Sequence, residues 1–198
     1  GTLGTIGTYS FHATKTITTG EGGMVITDND KLLDRMKLYR SHGLKRKKHY
    51  WHELPGLNFR LTNIQAALGC GQLQYLEKII TERNRVYNSY REKLMEIPGV
   101  LLQEFLPVVE PVVWAIAIQL DPKLFPQGRD VLLEQMLELG IELRPGFYSP
   151  GQIDYFECAP LPICDNLASS IVSMPSYPSL SEAQIESICA RLAALGHG

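Results

Sequence analysis

The densest chemistry in the chain lies in one run, Ser10-Phe11-His12-Ala13-Thr14-Lys15-Thr16-Ile17-Thr18-Thr19-Gly20-Glu21-Gly22-Gly23. A lysine set just after a β-prone stretch, and followed by a glycine turn into another, can be held rigidly against a carbonyl. Schiff-base chemistry asks for such an amine. The amine attacks only when unprotonated, a form that burial or a neighbouring cation favours by lowering its pKa from about 10.4. Hydroxyls at Ser10 and Thr14 can bond a phosphate, and the glycines allow close backbone approach. By residue chemistry alone, most lysines beside glycines are simply parts of solvated turns.

A second run, Gly56-Leu57-Asn58-Phe59-Arg60-Leu61-Thr62-Asn63-Ile64-Gln65-Ala66-Ala67-Leu68-Gly69, leads from a loop into a helix. Asn58 there reads either as a polar ligand or as a residue that tolerates left-handed backbone before a helix capped by Thr62. Between the two runs lie Lys45-Arg46-Lys47-Lys48 and Tyr50-Trp51-His52. The basic run is either a solvated loop face or a surface that attracts a nucleotide diphosphate. His42, His49 and His52 cluster in sequence, but His49-x-x-His52 lacks a third ligand at metal-binding spacing, so no metal is expected.

The elements that must position these residues follow from periodicity. Strands are expected near residues 8–11 and 23–27, then a helix capped by Asp28 or Asn29 with Leu32, Leu33, Met36 and Tyr39 on one face. A polar loop covers 44–61. From Thr62, apolar residues recur at helical spacing to Pro98-Gly99, as one long helix or a kinked pair, with Gly69 and Gly71 marking close packing or a bend. A strand follows near 112–120, a helix near 129–139, a strand at 141–144, a Pro-rich loop through Pro178 and a last helix from Ser181 to Leu195. This is an α/β pattern with its boundary near 98–110 and no internal repeat, divided into residues 1–98 and 99–198.

Composition narrows the partners. With 198 residues, of which 44% are apolar, the chain can bury a real core. Nineteen Lys and Arg against 21 Asp and Glu leave a formal charge of −2, so no positive field argues for nucleic acid or an anionic membrane. No apolar run approaches the roughly 20 residues that span a bilayer. The scattered Cys70, Cys158, Cys164 and Cys189 suit reduced thiols and a cytoplasmic protein. Residues 1–8 hold neither an initiator Met nor a secretion signal, and the chain is expected to continue a longer polypeptide.

The Lys15 run resembles the cofactor-lysine segment of the nucleotide-sugar aminotransferases, the DegT/StrS group of the fold-type I pyridoxal-phosphate class. In that family Ser-Phe, three variable residues and Lys lead into Gly-Glu-Gly-Gly, a pattern matched from Ser10 to Gly23 without a gap. The resemblance implies pyridoxal 5'-phosphate as cofactor, Lys15 as the catalytic lysine that carries it and shuttles the substrate proton, and Ser10 as a phosphate ligand. A dehydratase branch of the same fold has His at the position of Lys15.

The 56–69 run resembles the family's segment that crosses to the other subunit of a homodimer. Asn58 would then bond the cofactor phosphate in the partner's site, with Arg60 near its mouth. Arg40-Ser41-His42-Gly43 with Tyr50-Trp51-His52, and Gly140 to Pro145 with Phe147, Tyr148 and Met174 to Pro178, extend the match into the small domain. By this resemblance Trp51, His52, Arg144 and Tyr148 contact the nucleotide-sugar, since an arginine can fork onto a diphosphate and an aromatic can cover a base or sugar face. The expected fold is the end of the large domain, residues 1–98 with a long connecting helix, followed by a small C-terminal α/β domain, residues 99–198.

The implied activity moves an amino group from an amino acid, glutamate foremost, to a nucleotide-linked 4-keto-6-deoxy sugar. The Lys15 run and the Tyr-Trp-His segment are most similar to perosamine synthases, which act on a GDP-sugar. Relatives also carry an N-terminal portion that supplies glycine-rich phosphate contacts, an aromatic stacked on the cofactor ring and an acid paired with its nitrogen. This chain is therefore expected to be incomplete for activity by itself. The alternative is a truncated remnant that folds, dimerises or binds nucleotide-sugar without turnover.

Overall fold

The computed structural model describes residues 2–45 and 47–196, so Arg46 of the basic run lies outside the described residues. The chain divides into two compact units, Gly1–Glu77 and Lys78–Gly198.

In the first unit, β1 (Gly7–Ser10) and β2 (Gly23–Ile26) pair antiparallel, Gly7 opposite Ile26 and Ser10 opposite Gly23. The helix α1 (Asp30–Arg40) begins where the Asn29 side chain accepts from the Lys31 and Leu32 amides. Asp30 in its first turn and Lys37 and Arg40 in its last complement the helix dipole. The helix α2 (Asn63–Leu73) opens with a capping box in which Thr62 and Gln65 satisfy each other's backbone amides. None of the described apolar side chains of this unit is buried. A ribbon of two four-residue strands is marginal alone, and this unit is tied together by hydrogen bonds between its elements as well as within them.

The second unit holds the core. Its sheet runs β3 (Val100–Leu102), β4 (Ile116–Leu120), β6 (Ile171–Met174) and β5 (Arg144–Pro145), antiparallel at every step. Along β4, Ile116, Ile118 and Leu120 are buried in alternation, the period that sets one sheet face inward. Against that face pack Val86, Tyr90 and Leu94 of α3 (Leu76–Leu94), Leu132 and Met136 of α4 (Gly128–Glu138), and Ile185, Ile188 and Leu192 of α6 (Glu182–Leu195). Mixed helix and sheet is thus the fold class, as the periodicity predicts.

The two compact units part at 77/78, and the buried stripe of α3 lies in the second core. Of the two readings of the long apolar repeat the structure shows the pair, two helices separated by Gln74 and Tyr75, with Gly69 and Gly71 within α2. Two other expectations shift. The strands expected at 112–120 and 141–144 shrink to β4 and to the two residues of β5. The Pro-rich stretch read as loop contains α5 (Pro162–Ser170), started by Pro162, and the central strand β6. No helix among the described residues is long and apolar enough to cross a membrane.

Candidate active site

Lys15 sits in the loop joining β1 to β2. The hairpin continues one step past Ser10, since the Phe11 amide donates to the Gly22 carbonyl at 2.9 Å, and the loop folds back as the Thr19 amide donates to the Phe11 carbonyl at 2.9 Å. The Lys15 amide closes a turn onto the His12 carbonyl at 3.0 Å. Lys15 is half-buried, whereas Ser10 is exposed at the strand end with its hydroxyl accepting from the His12 amide at 3.4 Å.

One face of α2 holds this loop. Gln72 accepts from the Thr18 amide at 2.8 Å, and Gln65 donates to the Glu21 carbonyl at 3.0 Å. Between them lies Gly69, where an added Cβ would come within 2.9 Å of the Thr19 methyl. Gln65, Gly69 and Gln72 stand at i, i+4 and i+7, so they line one helical stripe. Gly22 is equally constrained, because a Cβ there would meet the Thr19 hydroxyl at 2.5 Å and Leu61 at 2.8 Å. These contacts escape a search for apolar periodicity; the signal that finds them is polar or small residues recurring at helical spacing behind a glycine-rich turn.

The donor set fits a phosphorylated aldehyde cofactor. A primary amine is carried on a loop pinned from both strands and from a helix, and the Ser10 hydroxyl lies five residues earlier at the strand end. The crowding at Gly22 and Gly69 keeps the loop backbone against its supports.

A second group forms on the hairpin between α1 and α2. Ser41 bridges to Asn58 and Leu44 to His52, and the Glu53 amide donates to the Gly43 carbonyl at 2.8 Å. The Asn58 side chain accepts from the Arg60 amide at 3.4 Å and from its Nε at 3.2 Å, so these two candidates are brought together. His52 Nδ1 lies 2.6 Å from the His42 carbonyl. A carbonyl only accepts, so Nδ1 carries the proton, and a neutral ring presents Nε2 as an acceptor. His42, His52, Glu53, Leu54, Pro55 and Gly56 line a cleft of about 460 Å³. Trp51 stands exposed beside it in sequence, with the Lys48 ammonium 3.6 Å from its ring centroid.

The remaining two candidates lie in the second unit. Arg144 is exposed on β5 and pairs with Glu142 at 3.3 Å. Tyr148 is exposed in the following loop, above the buried guanidinium of Arg129, which lies 5.6 Å from its ring centroid and reaches the Ala168 carbonyl. Arg129 was not a sequence candidate. Its signal is a charged residue at the start of an amphipathic helix, and such residues are far more often solvated.

Nearly the whole chain is similar to known proteins. The DegT/DnrJ/EryC1/StrS aminotransferase family model matches residues 1–193. The GDP-perosamine synthase of Vibrio cholerae is 33% identical over 193 residues, which are 96% of this chain and 52% of that protein. EpsN of Bacillus subtilis, named for pyridoxal phosphate-dependent aminotransfer, is 28% identical over 92% of this chain and 48% of its own. Helicobacter pylori PseC, an aminotransferase of pseudoaminic acid biosynthesis, superposes with a TM-score of 0.87 at 27% identity, over 98% of this chain and 54% of that structure. The chain spans about half the length of the curated relatives it matches. From the match over 193 of its residues, the chain belongs to the DegT/DnrJ/EryC1/StrS aminotransferase family.

Proposed function

We propose that the chain is the lysine-bearing part of a pyridoxal-phosphate aminotransferase that moves an amino group from glutamate to a nucleotide-linked 4-keto-6-deoxy sugar in the cytoplasm. The observation that carries the reading is Lys15 on a glycine-bounded loop fastened to α2 through Gln65 and Gln72. Family membership supports the reaction class, and the similarity to a GDP-perosamine synthase supports a GDP-sugar as substrate.

In this reading Lys15 holds the cofactor and moves the substrate proton at its Nζ, while Ser10 bonds the cofactor phosphate. The bound cofactor supplies an aldehyde that accepts the amino group and a ring that withdraws electron density. Asn58 serves the site of the other subunit in a homodimer, with Arg60 beside it. Trp51, His52, Arg144 and Tyr148 contact the nucleotide-sugar. Residues 1–98 then close the large domain with its connecting helix, and 99–198 form the small one. The half-length span of the chain favours a second reading, in which it binds ligand but does not turn over by itself.

Borohydride reduction of the protein with pyridoxal phosphate, followed by peptide mapping, should place a pyridoxyl group on Lys15; labelling of another lysine instead would refute the assignment. In the assembled enzyme, mixing inactive Lys15→Ala and Asn58→Ala subunits should restore activity, because a hybrid gathers both lesions in one site and leaves the other intact. Verified subunit exchange without recovery would refute the shared site.

A further inference from the structure

The first turn of α4 holds a buried cation that the chemistry above leaves unused. Arg129, the second residue of the helix, is 6% exposed, and a positive charge at that end opposes the helix dipole. Two acceptors offset the cost. Its Nε donates to Asp130 Oδ1 at 2.7 Å, and its Nη1 donates to the carbonyl of Ala168 in the last turn of α5, where a helix leaves its carbonyls without partners of their own. An apolar side chain of similar length would fill the place without needing such acceptors, so the charge points to a further contact.

That contact is the ring of Tyr148, whose centroid lies 5.6 Å from the guanidinium carbon. Tyr148 stands between two fixed points of its loop. On one side the Gly146 amide donates to the Ile171 carbonyl at 2.9 Å, and a Cβ at Gly146 would come within 2.9 Å of the Ile171 side chain. On the other, Ser149 is fully buried, its amide donating to the Gln152 side chain at 3.0 Å and its hydroxyl accepting from the Gly151 amide at 3.3 Å. The backbone is thereby set, yet the ring itself is 59% exposed and free to swing about its side-chain torsions. A guanidinium over one face removes that freedom, because the face carries the negative side of the ring quadrupole.

We propose that Arg129 is a positioning residue for the nucleotide-sugar: it fixes the plane of the Tyr148 ring before substrate arrives and acts only through that ring. The proposal rests on the reading that Tyr148 contacts the nucleotide-sugar, and adds the group that aims it. A side chain already ordered loses less freedom when its ligand binds, so removal of Arg129 weakens the hold on a substrate that Arg129 does not touch.

The test uses the full chain with GDP-mannose as the nucleotide-sugar probe, affinity being read by equilibrium dialysis. Tyr148→Leu should weaken binding about tenfold and Arg129→Met about fivefold. Arg129→Lys, which keeps a cation beneath the ring, should fall between Arg129→Met and the parent. In the Tyr148→Leu background Arg129→Met should cost nothing more, whereas a merely structural arginine would cost the same in both backgrounds. A signature that leaves Arg129 intact guards against misfolding of its variants: in the nuclear magnetic resonance spectrum its Nε proton should carry a ring-current shift that Tyr148→Leu abolishes. If that resonance is unmoved, or if Arg129→Met binds as tightly as the parent or adds its full cost to Tyr148→Leu, Arg129 is not the positioning residue and the nucleotide-sugar reading stands. If Tyr148→Leu binds as tightly as the parent, the contact assigned to Tyr148 falls and the proposal with it; if the parent retains no GDP-mannose, the nucleotide-sugar reading falls too.

Discussion

Single residues in this chain are distinguished mainly by what surrounds them. Cys70, Cys158 and Cys164 are exposed, whereas Cys189 is buried on α6, where loss of hydration pushes its thiol from the ordinary 9.0 to about 11 against a smaller opposing pull from the Lys93 charge. Tyr90, whose buried hydroxyl has no hydrogen-bond partner among the described residues, is raised as well, first by burial and then by the charges of Cys189 and Tyr177. Both groups are neutral when protonated. Above pH 9.0 the unfolded thiol loses its proton while the folded one keeps it, so the unfolded chain binds fewer protons and stability falls as pH rises towards about 11. Thermal melting should therefore drop across that window, and Cys189→Ala should flatten the drop; equal slopes in the two proteins would contradict the burial argument. At pH 8 a thiol reagent should modify Cys70, Cys158 and Cys164 and spare Cys189.

At the scale of elements, α2 matters more for what it holds than for what it buries. Gln72→Ala removes the acceptor of the Thr18 amide, a loss of about 0.5–1.5 kcal/mol, and its effect should be local. Hydrogen exchange should quicken at Thr18 and its neighbours while the amides of α4 and α6 keep their protection; an unchanged Thr18 amide would show that the loop is held elsewhere. The hairpin and α1 were legible in the sequence because β-prone runs flank the glycine turn and Asn29 marks a helix start. Much of the rest was not. Ile171-Val172-Ser173-Met174 is too short for a convincing alternation and follows a helix that begins at Pro162, so prolines around both made a helix and a central strand read as loop. Lys15 was legible as chemistry only through its complete glycine-bounded run, and its support by Gln65, Gly69 and Gln72 was not, since polar residues on an exposed helix carry no burial signal. The pairing of Asn58 with Arg60 and of Lys48 with Trp51 depends on loop backbone that no periodicity encodes.

Over the whole molecule, stability is distributed unevenly. Among the described residues, the buried apolar cluster draws every member from Val86 onward and none from the first unit. Local hydrogen bonds in water are each worth about 1 kcal/mol net, whereas burial of one large apolar side chain contributes about 1.5–3 kcal/mol. Limited proteolysis should accordingly cut first within residues 2–77 and leave a resistant fragment close to Lys78–Gly198; preferential cleavage inside α4 or α6 would show that the core does not dominate. Within that resistant part, Arg85 ties α3 to the start of α6 by bonding Glu182 and the Pro178 and Leu180 carbonyls, and Ser89 also bonds Glu182.

One of the two edge strands of the larger sheet is only Arg144 and Pro145, and the second of these has no amide hydrogen to offer. A neighbouring chain that tried to extend the sheet along this margin would find one rung missing and almost no length on which to register. The ribbon of β1 and β2 has no such stop, and its strands carry exposed Tyr9, Met24 and Val25. When copies of the chain are crowded together, as on overexpression, intermolecular strand addition should therefore start at the lysine-bearing hairpin and halt at Pro145.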